Sequence, residues 1–250
     1  MALMSPLDSA FLLLESREHP MHVGGLSLFR PSDTQKRSAR QLHEELASGT
    51  GQLTSVFRRR PARSLASFSP LRWDLDDDVD LDYHVRLLSL PTPGRVRELL
   101  ELVSMLHGSL LDRHRPLWEV YIIDGLADGR IALYTKTHHA LMDGVSAVRT
   151  WQRALSPDPA ARDCVPPWRS PGRRPGAGSS TLLRRSADAV RAAGRISTAV
   201  PELLSGAYTI ARDYPEPRPF GAPHTMFNVA ITGARRFAAQ SWPLPRLRAV

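Results

Sequence analysis

Two adjacent histidines, an aspartate and a glycine stand together in Thr137-His138-His139-Ala140-Leu141-Met142-Asp143-Gly144-Val145, where an alternating stretch gives way to a helically spaced one. Metal binding is the first chemistry to test. Neighbouring histidines diverge on a strand, unlike the i, i+4 pair of a zinc-binding helix, and no third ligand stands at a recognisable spacing, so no metal is expected. A nucleophilic route fits no better: Cys164 lies in a proline-rich stretch without an evident base, and no Gly-x-Ser-x-Gly elbow occurs. General-base chemistry does fit, because a neutral imidazole with a pKa near ~6.5 can take a proton from an alcohol or amine at neutral pH. Asp143 then either braces the site or serves as a helix N-cap, and Gly144 lets the backbone turn. Because strand side chains alternate, only one of the two histidines can face a given pocket while the strand continues. One works and the other supports; the residues alone do not say which, nor exclude a structural role for both.

The flanking elements must hold this stretch in place. Ile131, Leu133 and Thr135 alternate with Ala132, Tyr134 and Lys136, the period of a strand, while Val145, Val148, Trp151 and Leu155 recur at helical spacing. Leu117–Leu126 reads as a second strand, turned back by Ala127-Asp128-Gly129 to pair with the histidine strand. Upstream, Val96, Leu99, Leu100, Val103, Leu106 and Leu110 form one stripe of a helix over 94–111. Ser5-Pro6-Leu7-Asp8 is a helix start, with serine as cap and proline at the first helical position. Met21–Phe29 is expected to be a strand whose Gly24 and Gly25 mark a bulge or a close backbone approach, and His22 within it is read as structural. A helix is expected over 36–48 and a strand over 83–88. The carboxylate run 73–82 lacks the glycine and glutamate of a calcium loop and reads as a turn. Residues 228–238 are expected to form a strand with a turn.

Composition narrows the class. A chain of 250 residues with 42% hydrophobic content can bury a substantial core. One cysteine leaves no intrachain disulfide, and no stretch approaches the ~18 apolar residues of a membrane span, so a reducing cytosol is the default. The net charge is +8, and residues 158–195 alone carry eight arginines against three aspartates. Such an excess favours anionic partners, a membrane surface or a phosphorylated cofactor such as coenzyme A, or else marks a solvated linker. Nucleic acid is disfavoured, since no aromatic interleaving or recognition-helix pattern accompanies the arginines. Prolines and glycines from Pro157 onward describe a flexible segment, followed by a basic amphipathic helix over 181–198 that either lies on a lipid surface or docks on the core.

His138-His139-Ala140-Leu141-Met142-Asp143-Gly144 resembles the His-His-x-x-x-Asp-Gly motif of the coenzyme A-dependent acyltransferase superfamily, which includes peptide-synthetase condensation domains. The surrounding Ser5-Pro6-Leu7-Asp8, Pro20–Gly25, Asp82–Val85, Arg115-Pro116-Leu117-Trp118-Glu119, Asp124–Leu126 and Asn228–Gly233 are similar to the bacterial wax ester synthase/diacylglycerol acyltransferase family. The likeness runs through 1–155 and resumes at 226–250.

The resemblance implies an α/β fold, a mixed-sheet sandwich forming the N-terminal lobe of the two-lobed, chloramphenicol acetyltransferase-like architecture. Its expected divisions are a lobe over 1–156, a linker over 157–180, a helical crossover over 181–225 and the start of a second lobe over 226–250. It implies O-acyl transfer from acyl-CoA, a co-substrate rather than a bound cofactor, to diacylglycerol or a long-chain alcohol. His139 would be the general base, His138 and Asp143 its support with Gly144 beside them, and Pro116, Leu117 and Trp118 part of the substrate-cavity wall. A cytoplasmic enzyme with peripheral contact to the inner membrane or lipid droplets follows. Family members generally carry a second half with an Asn-Asp motif, so a complementing C-terminal chain and an inactive, lipid- or partner-binding remnant are both open readings.

Overall fold

The computed structural model describes residues 2–31, 38–48, 53–62, 71–158, 161, 165–169, 225–226, 229, 231–240 and 242–248. The chain divides into a unit of Met1–Pro171 with Ile231–Val250 and a unit of Gly172–Ala230; the elements below belong to the first. The basic helix expected over 181–198 and the linker residues 170–180 lie outside the described residues.

In chain order the elements are β1 (Ala2–Leu3), α1 (Pro6–Leu14), β2 (His22–Phe29), α2 (Ala39–Ser48), β3 (Arg59–Pro61), β4 (Arg72–Leu75), α3 (Leu81–His84), β5 (Val85–Ser89), α4 (Val96–Gly108), β6 (Trp118–Asp124), β7 (Ile131–His138), α5 (Gly144–Ala154) and α6 (Leu244–Arg248). The central sheet has the order β2-β7-β6-β5, antiparallel except for the β5–β6 pair, and a small antiparallel sheet has the order β1-β4-β3. This is the mixed sheet expected.

Local chemistry sets the boundaries. Ser5 accepts the Asp8 N–H at 3.1 Å, with proline opening α1 as its sequence requires. Asp80 accepts the Tyr83 N–H at 3.1 Å and caps the short helix α3, so Tyr83 and His84 are helical and the expected strand begins only at Val85. The turn between β6 and β7 uses Gly125 and Gly129 at φ 80° and 74°.

The sheet is covered on both faces, which is why Val120–Ile123 of β6 reads as a continuous apolar run. Val120, Ile122 and Leu133 join Trp118, Phe57 and Trp168 on one side. Tyr121, Ile123, Ala132 and Tyr134 meet Leu99 and Val103 of α4 on the other. Gly24 and Gly25 make no bulge, since β2 keeps continuous register with β7 from His22 opposite His138 to Phe29 opposite Ile131. Close approach is the reason for Gly24: a Cβ there would lie 2.8 Å from Tyr134 Oη.

Two further expectations change. Val165–Arg169, in the proline-rich stretch, is anchored by a bridge between Leu53 and Arg169, and Trp168 is fully buried in the core. Its indole stacks on Trp118 at 5.3 Å between centroids, and Arg169 Nη2 reaches the Leu46 and Ala47 carbonyls at 3.5 and 3.4 Å. Residues 231–240 form no strand. Thr232 Oγ1 accepts the Ala234 N–H at 3.3 Å and bends the chain locally, and Phe237 N–H donates to Ser104 Oγ on α4 at 2.7 Å.

Candidate active site

β7 ends at His138, and the two histidines separate there. The His138 N–H donates to the Leu117 carbonyl at 3.0 Å, and the His139 N–H to the Met21 carbonyl at 2.8 Å. The motif is thus clamped by the beginnings of β6 and β2. His138 is wholly buried. Its Nδ1 accepts the Ala140 N–H at 3.0 Å, which places the ring proton on Nε2, 3.3 Å from Glu15 Oε1. Nδ1 is hydrogen-bonded inside the fold, and the buried Nε2 lies within ion-pair distance of the Glu15 carboxylate without the geometry of a hydrogen bond.

Glu15 is the residue that sequence reading missed. Its side chain is fully inaccessible and also accepts the Met21 N–H at 3.1 Å and an Arg113 N–H at 3.0 Å. Burial alone would raise its pKa, but the contacts from His138, Met21 and Arg113 outweigh that and bring it down to about 2. The carboxylate is therefore ionised across the neutral range, and it orients His138 and the Met21 backbone that receives the His139 N–H. In the sequence Glu15 is only the polar residue that ends the Leu12–Leu14 run, with nothing local to link it to His138.

His139 is half-buried, and its ring stacks on Phe11 of α1 at 4.9 Å and 20°. Among the described residues its ring nitrogens have no hydrogen-bond partner. The ring lines an open cavity of about 500 Å³ with Leu7, Phe11, Met142, Ser146, Arg149 and Arg153 among its walls. A stacked imidazole with unpaired nitrogens at a cavity wall can accept a proton from a hydroxyl placed there.

Asp143 is the N-cap of α5: it accepts the Ser146 N–H at 2.7 Å and the Ser146 hydroxyl at 3.1 Å. These bonds, with lesser contributions from the Val145 N–H and nearby His139, lower its pKa despite partial burial. Gly144 opens α5 without a left-handed φ, and a Cβ there would meet nothing within 4 Å. The sharp turn expected to need glycine does not need it; Gly144 instead leaves space on the wall of a second cavity. That cavity, about 360 Å³, lies between α5 and β2–β7 and is lined by Val23, Phe29, Leu133, Val148, Trp151 and Leu155 among others. α5 separates the two, presenting Val148 and Trp151 to the apolar cavity and Arg149 and Arg153 to the polar one.

Pro116, Leu117 and Trp118 are buried and line no part of the His139 cavity. Trp118 packs its ring on His84 at 4.4 Å and donates Nε1–H to the Phe57 carbonyl at 2.9 Å. In place of a cavity wall, this stretch supplies the Leu117 carbonyl that holds His138. Its position at the start of β6, directly beside the end of β7, explains the difference.

The remaining buried histidines brace the frame. His22 Nε2–H donates to the His107 carbonyl at 2.8 Å, as a structural histidine would, and burial together with the nearby Lys136 charge lowers its pKa to about 4. His84 Nδ1–H donates to the Trp118 carbonyl at 2.7 Å, and burial lowers its pKa to about 4 as well. Lys136, buried beside Glu119 at 3.7 Å, donates to the Leu106 carbonyl at 3.0 Å and to that of Ser109, closing the C-terminal end of α4. Among the described residues no cluster of three or more histidine, cysteine or carboxylate side chains could hold a metal ion, and no helix is long and apolar enough to cross a membrane.

A mixed sheet delivers the histidine pair to a cavity beside a capped helix, and comparison with known proteins places this lobe in a family. The model of the wax ester synthase/diacylglycerol acyltransferase catalytic domain matches residues 4–250, and the chain belongs to this family. A protein named as a diacylglycerol O-acyltransferase in Mycobacterium bovis is 49% identical over 255 residues, covering 100% of this chain and 55% of the relative. A Mycobacterium tuberculosis protein of the same description is 46% identical over 99% of this chain and 55% of its own length. The solved wax ester synthase/diacylglycerol acyltransferase of Marinobacter aquaeolei VT8 superposes with a TM-score of 0.74 at 41% identity, over 99% of this chain and 54% of that one. The chain thus spans about half the length of these relatives.

Proposed function

We propose that this chain is the histidine-bearing part of an O-acyltransferase that moves a fatty acyl group from acyl-CoA to diacylglycerol or a long-chain alcohol, with His139 as general base. The observation that carries the reading is the division of labour between the two histidines: His138 is wholly buried, with Nδ1 hydrogen-bonded to the backbone and Nε2 closed in beside Glu15, while the His139 ring stands at a cavity wall with its nitrogens free among the described residues.

An unactivated alcohol attacks a thioester poorly, and the proposed step relieves that. A ring nitrogen of His139 takes the hydroxyl proton as the oxygen bonds to the thioester carbonyl carbon; the tetrahedral adduct then expels the thiolate, to which the imidazolium returns the proton. The products are an ester and free coenzyme A. Glu15, His138 and the Met21 carbonyl position the base, Asp143 fixes the start of α5, and the Leu117 carbonyl is the part of Pro116–Trp118 that bears on the motif. The apolar cavity beside α5 suits an alkyl chain. Exposed Val145, Val148 and Leu155 leave α5 with no buried residue. We assign the cover of Val145, which lies outside that cavity, to a polypeptide segment equivalent to the part of the relatives outside the match, and any peripheral contact with membrane or lipid droplets to the assembled enzyme. The divisions at 180 and 225 belong to the same proposal.

The test is ester formation from labelled acyl-CoA with diacylglycerol or hexadecanol, by the chain alone and with a relative's remaining segment supplied in trans. His139-dependent product supports the reading. Product that survives His139→Ala, or none under either condition, overturns it.

A further inference from the structure

Three arginines share the cavity wall with His139: Arg59 at the start of β3, and Arg149 and Arg153 one turn apart on α5. Several other arginines of this lobe sit on carboxylates, as Arg60 does on Asp74 at 3.4 Å, Arg113 on Glu15 at 3.0 Å and Arg115 on Asp80 at 3.0 Å. Among the described residues these three have no such partner within 4.0 Å. The carboxylates on the same wall are Asp8 and Asp143, and Asp143 is engaged by Ser146. Arg149 and Arg153 are like charges at i, i+4, an arrangement that destabilises an isolated helix by a few tenths of a kcal/mol. An anion held between them would turn that repulsion into binding.

We propose that Arg59, Arg149 and Arg153 anchor the phosphate groups of the acyl donor, so that its coenzyme A lies along α5 with the thioester end at His139. The proposal rests on the acyl-transfer reading for the identity of the anion. Reach agrees with it. At 1.5 Å per residue, Arg149 and Arg153 lie about 7 and 14 Å along α5 from its first residue, before side-chain length is added. The pantetheine arm has about thirteen bonds from sulfur to the first phosphorus, or ~15 Å at the length per bond of an extended peptide. Guanidinium groups also suit phosphate oxygens better than ammonium groups, through paired N–H donors. A phosphate-bearing lipid offers the same chemistry, so the experiment separates the two.

Labelled coenzyme A is dialysed to equilibrium against the 250-residue chain, with pantetheine and phosphatidylglycerol vesicles as competitors. Coenzyme A is expected to bind, pantetheine at least about tenfold more weakly, and the double variant Arg149→Ala/Arg153→Ala to lose about tenfold or more in affinity, as expected for charge-assisted contacts at a partly exposed site. Circular dichroism checks the fold of the variant, and the pantetheine comparison needs no variant at all. Binding and transfer are read separately, which divides this inference from the catalytic one: arginine-dependent binding without transfer leaves the anchor standing and the base reading refuted. Transfer with an acyl-CoA KM indifferent to both arginines does the reverse. Equal binding of pantetheine and coenzyme A, no coenzyme A binding, or vesicle binding alone overturns the anchor.

Discussion

Replacing Glu15 with glutamine keeps the shape of a fully inaccessible side chain and removes its charge. The oxygen can still face His138 Nε2–H and the Met21 N–H, but the amide NH₂ must then turn toward the Arg113 guanidinium, donor against donor. A drop of the carboxyl pKa from 4.5 to about 2 corresponds to about 3 kcal/mol of preference for the ionised form in the fold. Losing one charge-assisted contact inside a protein costs about 1.5–3 kcal/mol by independent reckoning. Glu15→Gln is therefore expected to cost about 2–3 kcal/mol at pH 7, with a fall in Tm of roughly 5–10 °C for a chain of this size. The sign with pH follows from the depressed value: the carboxylate contribution is complete above the unfolded pKa near 4.5 and is lost as pH falls toward 2. At pH 3 about 2 kcal/mol of it should be gone, so the gap between variant and parent should shrink to about 1 kcal/mol or less. Urea unfolding followed by circular dichroism at pH 7, 5 and 3 measures this. A cost under 0.5 kcal/mol at pH 7, or one that is the same at pH 3, would refute the assignment of Glu15 as an ionised brace.

Further outcomes follow from the same packing. His22 and His84 are held neutral with pKa values of about 4, below the unfolded value, so stability should decline as pH falls below about 6.5, by roughly 1–2 kcal/mol per histidine at pH 5; a flat Tm between pH 7 and 5 contradicts this. Trp168→Ala removes a fully buried ring stacked on Trp118 and should cost about 3–5 kcal/mol in denaturant titration, whereas a free linker residue would cost almost nothing. Gly24→Ala drives a methyl into Tyr134 Oη and His107 Nδ1, which hydrogen-bond at 2.8 Å, and a loss of about 1–3 kcal/mol is expected in thermal melts.

What could be read from the sequence was what neighbouring residues decide among themselves. The alternation of Ile131–Lys136, the Asp-Gly turn at 128–129 and the helical spacing after Gly144 place both histidines at a strand end. Ser5 and Asp143 announce the caps they make, whereas the cap at Asp80 is hidden in a carboxylate run that reads as a turn. What could not be read depends on residues that meet only after folding. Nothing near Glu15 points to His138, and Trp168 sits among prolines that read as linker although its indole completes the core. Pro116–Trp118 is a distinctive string, yet only the pairing of β6 with β7 shows that its backbone, not its side chains, touches the motif. The small sheet β1-β4-β3 has strands of two to four residues, too short for any period to show. Gly144 reads as a turn glycine and proves to need no glycine conformation.

The central claim is that His139, and not its buried neighbour, takes the hydroxyl proton. Transfer of labelled acyl groups from acyl-CoA to hexadecanol, compared between parent and His139→Ala under the conditions that give the parent its highest rate, tests it most directly. General-base removal is expected to lower the rate about 10²–10⁴-fold while circular dichroism and Tm stay close to the parent's. Ester formation at an undiminished rate by His139→Ala would contradict the account.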